Sequence, residues 1–111
     1  IGNAYKFSNQ LQEAIDSFSS ALNIKATNED AYLGLSDCYF LLDNNNSLEK
    51  VINILSTCIS YFPNNKIAHL NKGVALFKLN RYNDAYTSFK KAQQLGDEDA
   101  GFYIEVVRKY I

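Results

Sequence analysis

Neither methionine nor tryptophan occurs in the 111 residues, and proline and histidine occur once each. With no methionine, Ile1 is not a natural start, and the full protein is expected to carry at least half a helix upstream. A single histidine, His69, excludes any two-histidine metal motif. Cys38 and Cys58 form no C-x-x-C pair, so neither a metal nor a redox site is expected. They read as small core residues of a chain kept in a reducing compartment, with a cytoplasmic location expected. No apolar run approaches the roughly 20 residues that span a bilayer, and no signal peptide precedes residue 10, so membrane insertion is not expected. Positive charge is not in excess: eleven Lys and Arg stand against twelve Asp and Glu, for a net charge of -1. The longest basic runs are the pairs Lys90-Lys91 and Arg108-Lys109. A nucleic-acid binder needs a basic face to displace counterions from phosphates, so RNA binding is disfavoured.

Catalytic signatures are missing as well. There is no phosphate-binding G-x-x-x-x-G-K-[ST], no G-x-S-x-G and no H-E-x-x-H. Asp16, Asp84, Glu98 and Asp99 lie near helix starts, turns or exposed faces, where capping and solvation explain them. No catalytic residue, cofactor or metal is expected. Asparagine is abundant, and the run Asn44-Asn45-Asn46 reads as a polar loop.

What the chain does have is a repeat. Ala14-x-x-x-Phe18-x-x-Ala21, Val51-x-x-x-Leu55-x-x-Cys58 and Ala85-x-x-x-Phe89-x-x-Ala92 each place small, large and small residues on one helix face. The first two are 37 residues apart and the last two 34, with the three extra residues falling in Asp43–Ser47. Upstream of each lies a second helical pattern: Gly2-x-x-Tyr5, then Tyr32-x-x-Leu35-Ser36-x-x-Tyr39, then His69-x-x-Lys72-Gly73-x-x-Leu76. Small residues let helix backbones approach, and large ones fill the space between. Helices are expected at about 1–8 and 11–25, 29–42 and 47–61, 65–79 and 82–95, and 98–110. Asn46 is the expected cap of the fourth, Phe62-Pro63-Asn64 breaks the chain, and Gly96 ends the sixth.

These patterns resemble the tetratricopeptide repeat, W-x-x-L-G-x-x-Y followed by A-x-x-x-F-x-x-A and a closing proline, here Pro63 in the second unit. The resemblance covers almost the whole chain. It implies an all-α fold, a superhelix of antiparallel helix pairs with about three repeats and a C-terminal helix. The units implied are 1–28, truncated at its N-terminus; 29–65, with a three-residue insertion at the Asn-rich turn; 66–97; and 98–111, a capping helix or the start of a further repeat.

In that family the first helices of successive repeats line a concave groove that holds partner peptides. Carried over by position, the partner-binding residues are Asn3 and Lys6; Leu33, Asp37 and Phe40; and Ile67, Leu70, Asn71, Val74, Phe77 and Lys78. Phe7, Asp30, Gly34 and Leu41 flank them, and a stacked last helix would add Ile104 and Arg108. Some members grip a chaperone's C-terminal carboxylate with Lys, Arg and Asn. Asn3 and Asn71 fit such a clamp, but Gly34 and Ile67 stand where an Asn and a Lys are needed. The groove that remains is largely apolar, as binding surfaces often are. The expectation is a non-enzymatic scaffold or adaptor for a protein segment. A regulatory or targeting module of a larger enzyme or co-chaperone is the alternative, and self-association through the groove or the truncated N-terminal edge stays open.

Overall fold

A computed structural model describes the backbone of residues 2–111 and the side chains from Gln10 onward. Six helices and no strands make up the described residues: α1 (Gly2–Ile24), α2 (Glu29–Leu42), α3 (Asn45–Tyr61), α4 (Lys66–Lys78), α5 (Tyr82–Gln94) and α6 (Ala100–Arg108). Each packs mainly against the helices before and after it in the chain. Such nearest-neighbour stacking is the mark of a solenoid, in which no helix pair buries its own apolar face.

Local chemistry sets the boundaries. Asn28, Asn44 and Asn65 are the N-caps of α2, α3 and α4, and each accepts a hydrogen bond from the backbone N–H three residues on. Each bond satisfies one of the donors that a helix start leaves unpaired. At α3 the cap is reciprocal: Ser47 N–H donates to Asn44 Oδ1 at 2.8 Å, and Asn44 N–H donates to Ser47 Oγ at 3.0 Å. The expected cap, Asn46, is therefore two residues late. The Asn run is not a loop: Asn44 caps α3, and Asn45 and Asn46 are its first residues.

The C-termini are equally specific. Gly96 takes φ +97° after α5, its N–H donating to Gln93 O at 3.0 Å while Asp97 N–H donates to Ala92 O at 3.0 Å. Asn80 repeats the motif after α4, with φ +65° and bonds from Asn80 N–H to Phe77 O and from Arg81 N–H to Leu76 O. Both are left-handed closures that satisfy the last carbonyls.

The first unit departs from expectation. Instead of two helices, α1 runs unbroken from Gly2 to Ile24. The expected gap between residues 8 and 11 holds neither glycine nor proline, so nothing in it stops a helix. The expectations at Gly2 and Tyr5 fall on side chains outside the described set.

The core is a chain of three apolar clusters. Leu11 and Ile15 of α1 join Leu35 and Cys38 of α2. Tyr32, Leu48, Val51, Leu55, Cys58, Ala68 and Ala75 link α2, α3 and α4. Leu76, Ala85, Phe89, Ile104 and Val107 link α4, α5 and α6. Leu55 and Phe89, matched in the repeat, are 0% and 1% exposed. Phe18, their counterpart in α1, is half-buried because α1 packs chiefly on α2 alone.

Candidate partner-binding groove

Polar contacts hold α2 and α4 side by side. Asn65, the cap of α4, donates through Nδ2 to Glu29 Oε1, the first residue of α2. At the other end Lys78 Nζ donates to Asp43 Oδ1 at 3.2 Å, closing α4 onto the turn after α2. Start is tied to start and end to end, so the two helices run parallel. Arg81 pairs with Glu49 and links the turn after α4 to α3.

The residues expected to bind a partner divide by burial. Asp37, Ile67 and Lys78 are exposed, and Asn71 is half-buried. Leu33 and Phe40 are half-buried against the α2–α3–α4 cluster. Leu70, Val74 and Phe77 are half-buried against the α4–α5–α6 cluster. The apolar stripe thus does two jobs: each side chain seals an inter-helix seam with one edge and meets solvent with the other. The two sets belong to separate clusters. Asn3 and Lys6 lie outside the side chains described.

Lys78 is already engaged by Asp43, although a pair this exposed contributes little to stability. Asp37 is exposed as a residue, yet partial burial of its carboxyl raises its pKa above the usual carboxylate value. Gly34, where a carboxylate clamp would need an asparagine, faces the ring of Phe18. A Cβ built there would lie 2.4 Å from Phe18 Cζ, so a side chain fits only if the ring moves.

An apolar concavity lies between α4, α5 and α6. Val74, Phe77, Phe89, Phe102, Tyr103 and Val106 line a cleft of about 180 Å³ with apolar side chains. Tyr103 stacks on Phe89 at 5.2 Å between ring centroids, and Phe77 meets Tyr82 and Tyr110 edge-on at 5.4 and 5.2 Å. The sequence reading supplied Val74 and Phe77 but missed the α6 wall. Transferring the repeat length of 34 residues from Leu70 and Val74 selects Ile104 and Arg108. The structure buries Ile104 in the core at 4% exposure and pairs Arg108 with Glu105 in solvent. Phe102, Tyr103 and Val106 line the cleft instead. The signal that could have found them is the apolar spacing Phe102-Tyr103-x-x-Val106, together with an α5–α6 turn that need not keep the repeat length.

Among the described residues no group of three His, Cys, Asp or Glu could hold a metal ion, and no helix is long and apolar enough to cross a membrane. Cys38 and Cys58 are free and buried. Burial, aided by the Glu29 carboxylate, pushes the Cys58 thiol up to about 11.

Stacked antiparallel helices with parallel first helices define a helical-repeat solenoid of the protein-interaction class. The chain belongs to the tetratricopeptide repeat family, whose pattern matches residues 1–28 and 67–98, more than half of its length. Solved structures agree on the fold. The first TPR domain of human RPAP3 is similar at 17% identity, a TM-score of 0.83 and coverage of 98% of this chain and 85% of that one. The Arabidopsis OM64 TPR domain is similar at 22% identity, a TM-score of 0.82 and coverage of 99% and 90%. The first TPR of Spaghetti (RPAP3), bound to the HSP90 peptide SRMEEVD, is similar at 17% identity, a TM-score of 0.82 and coverage of 97% and 85%. No curated protein matches the sequence significantly.

Proposed function

We propose that this chain binds a segment of a partner protein along the face formed by α2 and α4, with apolar side chains as its anchors. The observation that carries the reading is the parallel α2–α4 pair, fixed at both ends, with Leu33, Phe40, Leu70, Val74 and Phe77 left half-open between polar ends. Half-open apolar side chains beside exposed Asp37, Ile67 and Lys78 suit an amphipathic helix or an extended apolar segment. The function is that of a scaffold or adaptor and not a catalyst. A cytoplasmic setting belongs to the same proposal, supported by two buried, unpaired thiols.

The peptides in the related complexes end in acidic residues, SRMEEVD with the first TPR of Spaghetti (RPAP3) and SGPTIEEVD with the second TPR domain of human RPAP3. The same kind of ligand fits this groove less well. Gly34 offers no hydrogen bond, and exposed Ile67 sets an apolar side chain where a cation would be required.

The test compares three proteins as bait for interacting proteins: the parent, the double variant Ile67→Glu with Asn71→Glu, and Thr57→Glu on the exposed face of α3. The double variant places two carboxylates about one turn apart on the groove side, and an apolar segment would have to bury them unpaired, which is costly. Proteins retained by the parent and by Thr57→Glu should be lost from the double variant, at equal helical circular dichroism. Retention of the same proteins by the double variant would move the site off this face.

A further inference from the structure

The groove does not account for the outer face of α6. Phe102 is 67% exposed although it forms a wall of the apolar cleft. It is the most exposed aromatic side chain described. A cavity of about 150 Å³ with aliphatic and aromatic walls is large enough to take up benzene. The cleft, at about 180 Å³, therefore has room for one phenyl ring. A ring of that size stands exposed at the rim of the same cleft. A knob beside its own hole is the arrangement that a two-fold axis converts into two reciprocal insertions.

The charges of α6 select the direction of pairing. Glu98 and Asp99 stand at its start and Arg108 and Lys109 at its end, all exposed, with Phe102 and Tyr103 midway between; Arg108 shares its charge with Glu105 in an exposed pair, and Lys109 carries none of the ion pairs described. Two copies of α6 laid antiparallel about that midpoint bring the acidic pair of each copy against the basic pair of the other. A parallel pairing would set like against like. Acid at a helix start and base at its end also suit the helix's own dipole, so the charges alone would prove nothing. Here they flank an exposed ring and an open cleft on one face. Helical spacing supports this: Val106 and Lys109 follow Phe102 by four and seven residues and share its side of the helix.

We infer that the chain forms a two-fold symmetric dimer through α6, with Phe102 of each copy seated in the α4–α5–α6 cleft of the other. The occupant of the cleft is thus a second copy of this chain. The helix is short, so the contact is small and the association weak and concentration-dependent. Val74 and Phe77 belong both to this cleft and to the proposed groove, so dimer and partner compete for them. The dimer nonetheless needs no partner, and its failure would leave the groove reading intact.

Sedimentation equilibrium of the 111-residue chain alone, from micromolar to millimolar, should show a mass approaching twice the 12.6 kDa of the monomer. Phe102→Glu should weaken the association at least tenfold with an unchanged circular-dichroism spectrum, because the side chain is exposed. Two charge-reversed proteins test the direction: one with Glu98→Lys and Asp99→Lys, the other with Arg108→Glu and Lys109→Glu. Each should stay monomeric alone, and the two should associate when mixed. A chain that is monomeric at every concentration would overturn the proposal, as expected if the cleft serves a foreign segment only. So would a dimer indifferent to Phe102→Glu, or reversed variants that fail to pair with each other.

Discussion

Gly34 and Gly73 hold different places in the repeat, Gly73 at the small packing position it shares with Ser36 and Gly34 two residues before that position, yet each faces a phenylalanine ring. A Cβ on Gly73 would lie 2.6 Å from Phe89 Cε1, and one on Gly34 would lie 2.4 Å from Phe18 Cζ. The outcome depends on whether the ring can yield. Phe89 is 1% exposed and stacked on Tyr103, so moving its ring breaks core packing. Phe18 is half-buried and can swing toward solvent. Replacing a helical glycine by alanine gains about 0.5–1 kcal/mol of helix propensity, whereas overpacking a tight core costs about 1–3 kcal/mol. Gly73→Ala should therefore lower stability by about 1–2 kcal/mol. Gly34→Ala should fall within about 1 kcal/mol of the parent, because the cost of displacing the Phe18 ring and the propensity gain offset each other. Urea denaturation of the two variants checks this, and equal losses would mean that Phe18 is held as firmly as Phe89. The same residue scale shows what was readable beforehand. Small-and-large alternation marked Leu55, Cys58, Ala85, Phe89 and Ala92 as core, and all five are buried. Phe18 carries the same pattern, but its burial depends on how many helices lie against α1, which spacing does not encode.

At the scale of single helices, the ends follow from asparagine. Asn28, Asn44 and Asn65 cap three starts, and Asn80 closes α4. Asn80 holds φ +65°, a conformation that costs an L-residue with a Cβ roughly 1–2 kcal/mol and that asparagine tolerates better than most. Its Oδ1 also accepts a hydrogen bond from Tyr82 Oη at 2.8 Å. Asn80→Ala should lower the stability by about 1–2 kcal/mol, and Asn80→Gly should restore most of it by removing the backbone strain. Thermal melts of both variants distinguish backbone strain from the lost Tyr82 contact, since strain alone predicts recovery with glycine. Helices α2 to α5 were legible because hydrophobic period and breakers agree, as at Phe62-Pro63. The start of α3 was misplaced because several adjacent asparagines could cap it, and only the reciprocal bond with Ser47 selects Asn44. The break expected between residues 8 and 11 is absent because no glycine or proline there stops the helix.

For the molecule as a whole, stability should vary along the stack. Each inner helix is sandwiched, whereas α1 and α6 at the two ends each rest mainly on one neighbour. In a nearest-neighbour array the end units open first, since unfolding them sacrifices one interface rather than two. Native-state hydrogen exchange should therefore show the slowest amides in α3 and α4, and faster exchange in residues 13–24 and in α6. Uniform protection would mean that the three clusters unfold as one. The superhelix and its family were legible because three registers agreed along the chain. The cleft was legible only in part. The sequence singles out Val74 and Phe77, which line it, but not Phe102, Tyr103 and Val106, because the connecting turn sets the rotation of α6 and the repeat length does not.

The extra residues of the middle unit end up as helix, added at the free end of α3 ahead of Leu48. Three residues are close to one α-helical turn of 3.6, so the added segment brings the polypeptide back to nearly the same side of the cylinder. Everything downstream, from Val51 to Cys58, keeps its place against α2 and α4. The unit can grow by about a turn outward into water without rotating its inner face. Around Asn44–Asn46 the chain thus carries about one extra turn while the inner face of α3 keeps its neighbours, and length is decoupled from packing at that end of the helix.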